Sequence, residues 1–244
     1  MSALLNVAGV GKQFGGFIAL EGIDLTVAQG ERVGLIGPNG SGKSTLVNCI
    51  CGTLHNEKGT VHFNGQTVDG LAAHERTHRG IARSFQLPRP FVTMSVADNL
   101  RVPLLYTVHT RSGRHLTVEE ADARCHELAD LVGLGDKCNK SPKDLTQIEM
   151  RKLELPRAMA PDPKLLIADE SMAGLSDSEV GEIVNMLIKL NESGITIIMI
   201  EHIMRAVMSF SQRLVVLDSG KKIADGKPDE VIRNPEVERA YLGQ

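Results

Sequence analysis

Gly37-Pro38-Asn39-Gly40-Ser41-Gly42-Lys43-Ser44-Thr45 is a glycine-rich run that closes on Lys-Ser, and it lies between an apolar stretch at residues 32–36 and a helical one at residues 45–50. Glycines let a backbone fold tightly around a phosphate and aim successive N–H groups at it, and a helix N-terminus adds partial positive charge. A lysine at position 43 is placed to reach the β- and γ-phosphates, and the Ser44 hydroxyl to hold magnesium. Residues 37–45 therefore read as the binding loop for a nucleoside triphosphate such as ATP with Mg2+.

A second strand end supplies the acidic groups that such a loop lacks. Leu165-Leu166-Ile167-Ala168 runs into Asp169 and Glu170. Asp169 could join the magnesium shell, and Glu170 could orient and polarise an attacking water. Gln86, where a strand hands over to helical sequence, offers a neutral ligand for magnesium or water. His202, just after the apolar run 195–200, could contact a γ-phosphate.

The elements that would position these residues follow from periodicity. Apolar and polar residues alternate through the first thirty positions, which predicts antiparallel strands; further strands are predicted at 59–63 and 81–85. From about residue 87 the pattern turns helical, with a segment from Ser95, a proline at Pro103, a polar loop at 109–115 and an amphipathic helix at 117–131. In that helix Ala121, Leu128, Leu131 and Val132 share a face, and Thr117 with Glu120 has capping-box spacing. Strands at 164–168, 195–200 and 213–217 alternate with helices at 177–190 and 203–210, the rhythm of a parallel sheet. The expected fold is one α/β domain over residues 1–244. It has a P-loop nucleotide-binding core (1–86 and 157–244), an antiparallel β edge subdomain, and an inserted α-helical subdomain at 87–156.

Composition narrows the classes. The chain has 244 residues, 42% of them hydrophobic, ample for a core, and a net charge of −3, which argues against nucleic acid as the main partner. Its apolar runs are strand length and no signal-like segment opens it, so it is expected neither to span a membrane nor to be exported. Cys49, Cys51, Cys125 and Cys138 form no C-x-x-C pair, which suits a reducing compartment. His74 and His78, at i and i+4, have no nearby carboxylate or thiol ligands and read as a solvated helix face.

In the order of its motifs the chain resembles the nucleotide-binding subunit of an ATP-binding cassette (ABC) transporter over essentially its whole length. Phe14-Gly15-Gly16, Glu201-His202-Ile203-Met204 and the tail 234–243 look like the branched-chain amino-acid importer type. The resemblance implies an ATP sandwich dimer, in which the signature motif of one cassette covers nucleotide held by the phosphate loop of the other. It also implies Phe14 stacked on adenine and a groove near Gln86, Arg89 and Phe91 that receives a helix of a membrane-spanning permease. The implied setting is peripheral, on the cytoplasmic face of the cell membrane, with a second cassette as partner and an extracytoplasmic solute-binding protein contributing indirectly.

Departures from the family pattern mark the signature. Leu145-Thr146-Gln147-Ile148-Glu149 stands where Leu-Ser-Gly-Gly-Gln is usual. Thr146 keeps the hydroxyl, whereas the branched Ile148 should resist close approach to a partner's γ-phosphate and Glu149 should oppose its charge. Pro156 should bend the following helix. Ser171 and Ser176 replace a usual proline and aspartate. The preferred reading is a transport-coupled ATPase. The alternative is a regulatory or low-turnover cassette with a degenerate signature; a soluble cassette of DNA repair or translation would carry a long coiled coil or a second cassette.

Overall fold

Leu165, Ile167, Ile198 and Ile200 lie in one hydrophobic cluster, and Leu166, Ala168, Ile197 and Met199 in another. Alternate residues of these strands thus face two separate cores, which is why they read as unbroken apolar runs. The computed structural model describes residues 3–84, 88–113, 115–170, 172 and 174–242.

The chain opens with β1 (Ala3–Phe14), β2 (Phe17–Ala28) and β3 (Arg32–Ile36), then α1 (Lys43–Cys51), β4 (Lys58–Phe63), β5 (Gln66–Thr67), α2 (Ala73–Arg79) and β6 (Ile81–Ser84). Helices α3 (Val96–Ser112), α4 (Val118–Asp130) and α5 (Gln147–Met159) follow. The core resumes with β7 (Leu165–Asp169), α6 (Asp177–Glu192), β8 (Thr196–Ile200), α7 (Met204–Phe210), β9 (Arg213–Asp218) and β10 (Lys221–Gly226), and the chain ends in α8 (Pro228–Val231) and α9 (Pro235–Leu242). Two sheets form: an antiparallel one in the order β2-β1-β4-β5, and a second in the order β10-β9-β3-β8-β7-β6, parallel but for β10. Helix α1 fills the space between the sheets with Leu46, Val47, Cys49 and Ile50, while α3 to α7 cover the opposite face of the second sheet.

Four expectations need correction. The polar loop at 109–115 is helical as far as Ser112, because α3 runs on through Pro103, where the Thr107 hydroxyl bonds the Pro103 carbonyl at 2.9 Å. Leu131 is 54% exposed and leaves the α4 stripe to Ala121, Cys125, Leu128 and Val132, whose spacing keeps to one helix face. His78 packs on Tyr106 with ring centroids 4.7 Å apart, so only His74 of that pair is exposed. Residues 221–226, to which the sequence reading assigned no element, form β10 by pairing with β9. Helix α5 continues through Pro156 to Met159, across the boundary expected at 156. The capping box of α4 is as read from sequence, and Asn234 caps α9, its Oδ1 accepting from Glu236 N at 2.9 Å.

Arg76 holds the far end of α1. Fully buried, it donates through Nη1 to the carbonyls of Cys49 (2.6 Å) and Ile50 (2.9 Å), and through Nε to Leu71. These carbonyls belong to the last turn, which has no intrahelical partner of its own. Arg76→Met should destabilise the fold by about 3 kcal/mol, since it strands buried acceptors. A denaturant midpoint unchanged from the parent protein would refute that role.

Candidate functional site

The strand ends set the level of the site. Asp169 pairs with Ile200, and Ile200 with Leu35, so three parallel strands finish in one row. The phosphate loop leaves β3 just past that row, Glu170 is the next residue after β7, and His202 lies two beyond β8. This is the edge at which parallel α/β sheets bind ligands.

The loop's glycines answer to sterics. A Cβ at Gly37 would lie 2.1 Å from the Leu217 carbonyl oxygen, and one at Gly42, where φ is +102°, would lie 2.7 Å from that of Ala19. Only glycine allows the backbone to pass this close to its neighbours. Lys43, the first residue of α1, is 6% exposed and curls back so that Nζ donates to the carbonyls of Gly37 (2.7 Å) and Pro38 (3.0 Å). Burial lowers its pKa, against the pull of Glu170 and Asp169. Phe14, Asn39 through Thr45 and Glu170 line one cavity of about 250 Å3. Phe14 is 47% exposed with the Lys12 ammonium 5.3 Å from its ring centre, and is therefore not a buried strand residue.

Glu170 has a φ of +44°, uncommon without glycine, and its N–H donates to the Ile200 carbonyl at 2.8 Å. Its Oε1 lies 2.7 Å from His202 Nε2. Asp169 is 8% exposed and accepts from Arg83. Ser44, Asp169 and Glu170 open onto a larger cavity of about 630 Å3 that reaches Arg89, Phe91, Glu154 and Arg157. Ser44 and Asp169 present the hard oxygen donors that magnesium takes, beside a buried ammonium, so the residues present fit a magnesium triphosphate. Phe91 is 43% exposed beneath the Arg157 guanidinium, and Glu154 accepts from Arg89 N. Gln86 and Ser171 lie outside the described residues.

Thr146, Ile148 and Glu149 line neither cavity. They form the first turn of α5, capped reciprocally: Glu149 N–H donates to Thr146 Oγ1 at 3.4 Å and Thr146 N–H to Glu149 Oε2 at 2.9 Å. Glu149 also pairs with Lys137. These bonds hold its carboxyl down at about 2, and Lys137 offsets the negative charge that sequence alone left unbalanced. Ser176, in the place of the aspartate, caps α6 in a box with Glu179.

Residues 20–173 match the model of the family described as ABC transporter, and residues 221–244 that described as branched-chain amino acid ATP-binding cassette transporter. The chain belongs to the ABC transporter family. The cassette is 35% identical over 99% of its length to BraF of Pseudomonas aeruginosa, a high-affinity branched-chain amino acid transport ATP-binding protein, and 36% identical to LivG of Escherichia coli K12, with 98% of each relative covered. It superposes on the ADP conformation of MJ1267, an ATP-binding cassette of an ABC transporter, with a TM-score of 0.89, 30% identity and full coverage of both chains. The dimeric cassette MJ0796 bound to ADP and Pi matches at a TM-score of 0.81 and 25% identity, covering 92% of this chain and 98% of that one. The cassette is thus an ATPase of this family, and among its described residues no helix is long and apolar enough to cross a membrane.

The structure adds residues to the site that sequence reading passed over. Tyr241 of α9 lies by the backbone of Gly37, and burial raises its pKa. Arg83 holds Asp169; a charged residue within a short buried strand was the available signal. Glu201, 3% exposed, accepts from Met172 N at 2.9 Å and so ties the segment after Glu170 to the end of β8. Its signal was an acidic residue closing an apolar strand, as at Asp169.

Burial pushes the Glu201 carboxyl up to about 7 from an ordinary 4.5. The native state then holds a proton that the unfolded chain releases, so stability is greatest below 4.5 and falls as pH rises through about 7. Glu201→Gln keeps the acceptor for Met172 N and removes this slope. It should gain up to about 3 kcal/mol relative to the parent between pH 5 and 8, read from denaturant unfolding at each pH; parallel pH profiles would show that Glu201 ionises normally.

Proposed function

We propose that this chain energises an importer of branched-chain amino acids or related small polar solutes by binding and hydrolysing ATP with Mg2+. The observation that carries the reading is one strand-end row that brings Lys43, Ser44, Asp169, Glu170 and the Glu170–His202 pair to the phosphate loop. The match of residues 221–244 to the branched-chain family supports the solute class. Ser44, Asp169 and Gln86 would hold magnesium, which would supply charge neutralisation to the triphosphate. Lys43 leaves its loop carbonyls for the phosphates, the loop N–H groups cradle them, and Phe14 stacks on adenine. Glu170 orients the attacking water and accepts its proton, with His202 fixing the carboxylate and contacting the γ-phosphate.

The partners are two membrane-spanning subunits, a second cassette and, indirectly, an extracytoplasmic solute-binding protein, with this chain peripheral on the cytoplasmic face. The open cavity floored by Arg89 and Phe91 suits a permease helix, because it offers an aromatic ring and charged groups on a surface the cassette does not cover. The signature residues lie away from their own chain's phosphate loop, which fits a site completed across a dimer. Co-purification with the spanning subunits and ATP turnover stimulated by solute would test the assignment; a cassette that neither associates nor responds would overturn it.

Ile148 favours a second reading of one site. It heads α5 half-buried, with a branched Cβ where the family places glycine, so it should weaken the partner's site rather than its own. Glu170→Gln should leave nucleotide affinity intact and slow turnover by about 10²–10⁴-fold, measured by nucleotide titration and steady-state hydrolysis in the assembled complex. Ile148→Gly should raise turnover of the cassette paired with itself by several-fold, roughly 1 kcal/mol of barrier. Brisk parent turnover with no gain on mutation would show that the isoleucine is accommodated.

A further inference from the structure

Arg83 is the third residue of β6, a strand otherwise occupied by Ile81, Ala82 and Ser84, all buried. Its side chain, 15% exposed, reaches β7, where Nε and Nη2 both donate to Oδ2 of Asp169, at 3.1 and 2.5 Å. The other arm, Nη1, donates to Oδ1 of Asn48 at 2.7 Å. Asn48 lies one turn beyond Ser44 on α1, on the same helix face. One guanidinium therefore ties the acidic strand end to the helix that starts in the phosphate loop, and Arg83, Asp169 and Ser44 line a common cavity.

A carboxylate this buried needs a counter-charge whether or not nucleotide is bound. Arginine keeps its charge at any physiological pH, and its planar fork reaches two acceptors at once. We propose that Arg83 is the resident counter-cation of the magnesium site, a positioning residue that neutralises and orients Asp169 before nucleotide arrives. A bare divalent ion then meets a fixed positive charge, whereas magnesium carried by a triphosphate brings the negative charge that offsets it. The cassette takes up the metal with the nucleotide and not ahead of it. This rests on Ser44 and Asp169 being the groups that hold magnesium.

The test uses Mn2+ as a paramagnetic probe of the nucleotide-free cassette, read by electron paramagnetic resonance, alongside ADP titrations with and without Mg2+. The parent should bind Mn2+ weakly, Arg83→Gln at least about tenfold more tightly, and Arg83→Lys, which keeps the charge, about as weakly as the parent. Adding Asp169→Asn to Arg83→Gln should abolish the gain. Unchanged Mn2+ affinity in Arg83→Gln, with a parent whose ADP binding still tightens with Mg2+, overturns the inference and leaves the magnesium site standing. If Asp169→Asn alone does not alter the effect of Mg2+ on ADP binding, the magnesium assignment itself falls. Should Arg83→Gln not fold, Arg83→Met, which keeps the aliphatic stem in the strand and removes the charge, must tighten Mn2+ binding by a similar factor; no change there also overturns the proposal.

Discussion

The hydrogen bond from Glu170 N–H to the Ile200 carbonyl, 2.8 Å long, carries the β7–β8 ladder one step past Asp169. At that step the chain enters a left-handed conformation and brings the Glu170 carboxylate within 2.7 Å of His202. Both strands are buried on both faces, with alternate side chains committed to different cores. A slip of one residue would send every side chain into the wrong core, so the register is strongly held. Because β3 is paired to β8 in the same row, the phosphate loop inherits that register too.

A second demand is charge balance in a poorly solvated cleft. Lys43, Arg83, Asp169, Glu170 and Glu201 crowd the row of strand ends, and the arrangement assigns each a different compensation. Lys43 spends its protons on loop carbonyls, Asp169 takes a guanidinium, and Glu170 faces a half-exposed histidine. For Glu201 burial outweighs the two backbone donors, from Met172 and His202, and its proton is retained near neutrality. The charged groups around the phosphate loop are therefore already paired with one another or with the backbone.

The altered signature is a local solution of the same kind. Thr146 and Glu149 cap α5 reciprocally, and Lys137 from the preceding turn meets the carboxylate. Glu149 stabilises the helix start without presenting a bare negative charge, so what distinguishes this signature is the bulk of Ile148. Further along the same helix, Glu154 and Arg157 line the cavity beside Asp169. Helix α5 thus joins the capped turn at Thr146 to the cavity beside Asp169 through one continuous backbone.

Much of this was legible in the residues alone. The phosphate loop, the acidic strand end and the order of β and α elements are local patterns, in which glycine sterics, apolar periodicity and capping residues act over a few positions. Where the outcome depended on packing, sequence was silent or misleading. Residues 221–226 became a strand because β9 offered an unpaired edge, Pro103 stayed within helix α3, and Leu131 fell just off the buried stripe of α4. The bonds of Arg83 to Asp169 across 86 residues and to Asn48 across 35 belong to the same class, as do those of Lys137 to Glu149 and Glu201 to Met172. Sequence determined which groups could perform phosphate chemistry, because that depends on side-chain type and local spacing; only the tertiary structure decided which charges meet, because pairing depends on which strand ends and helix faces the sheet brings side by side.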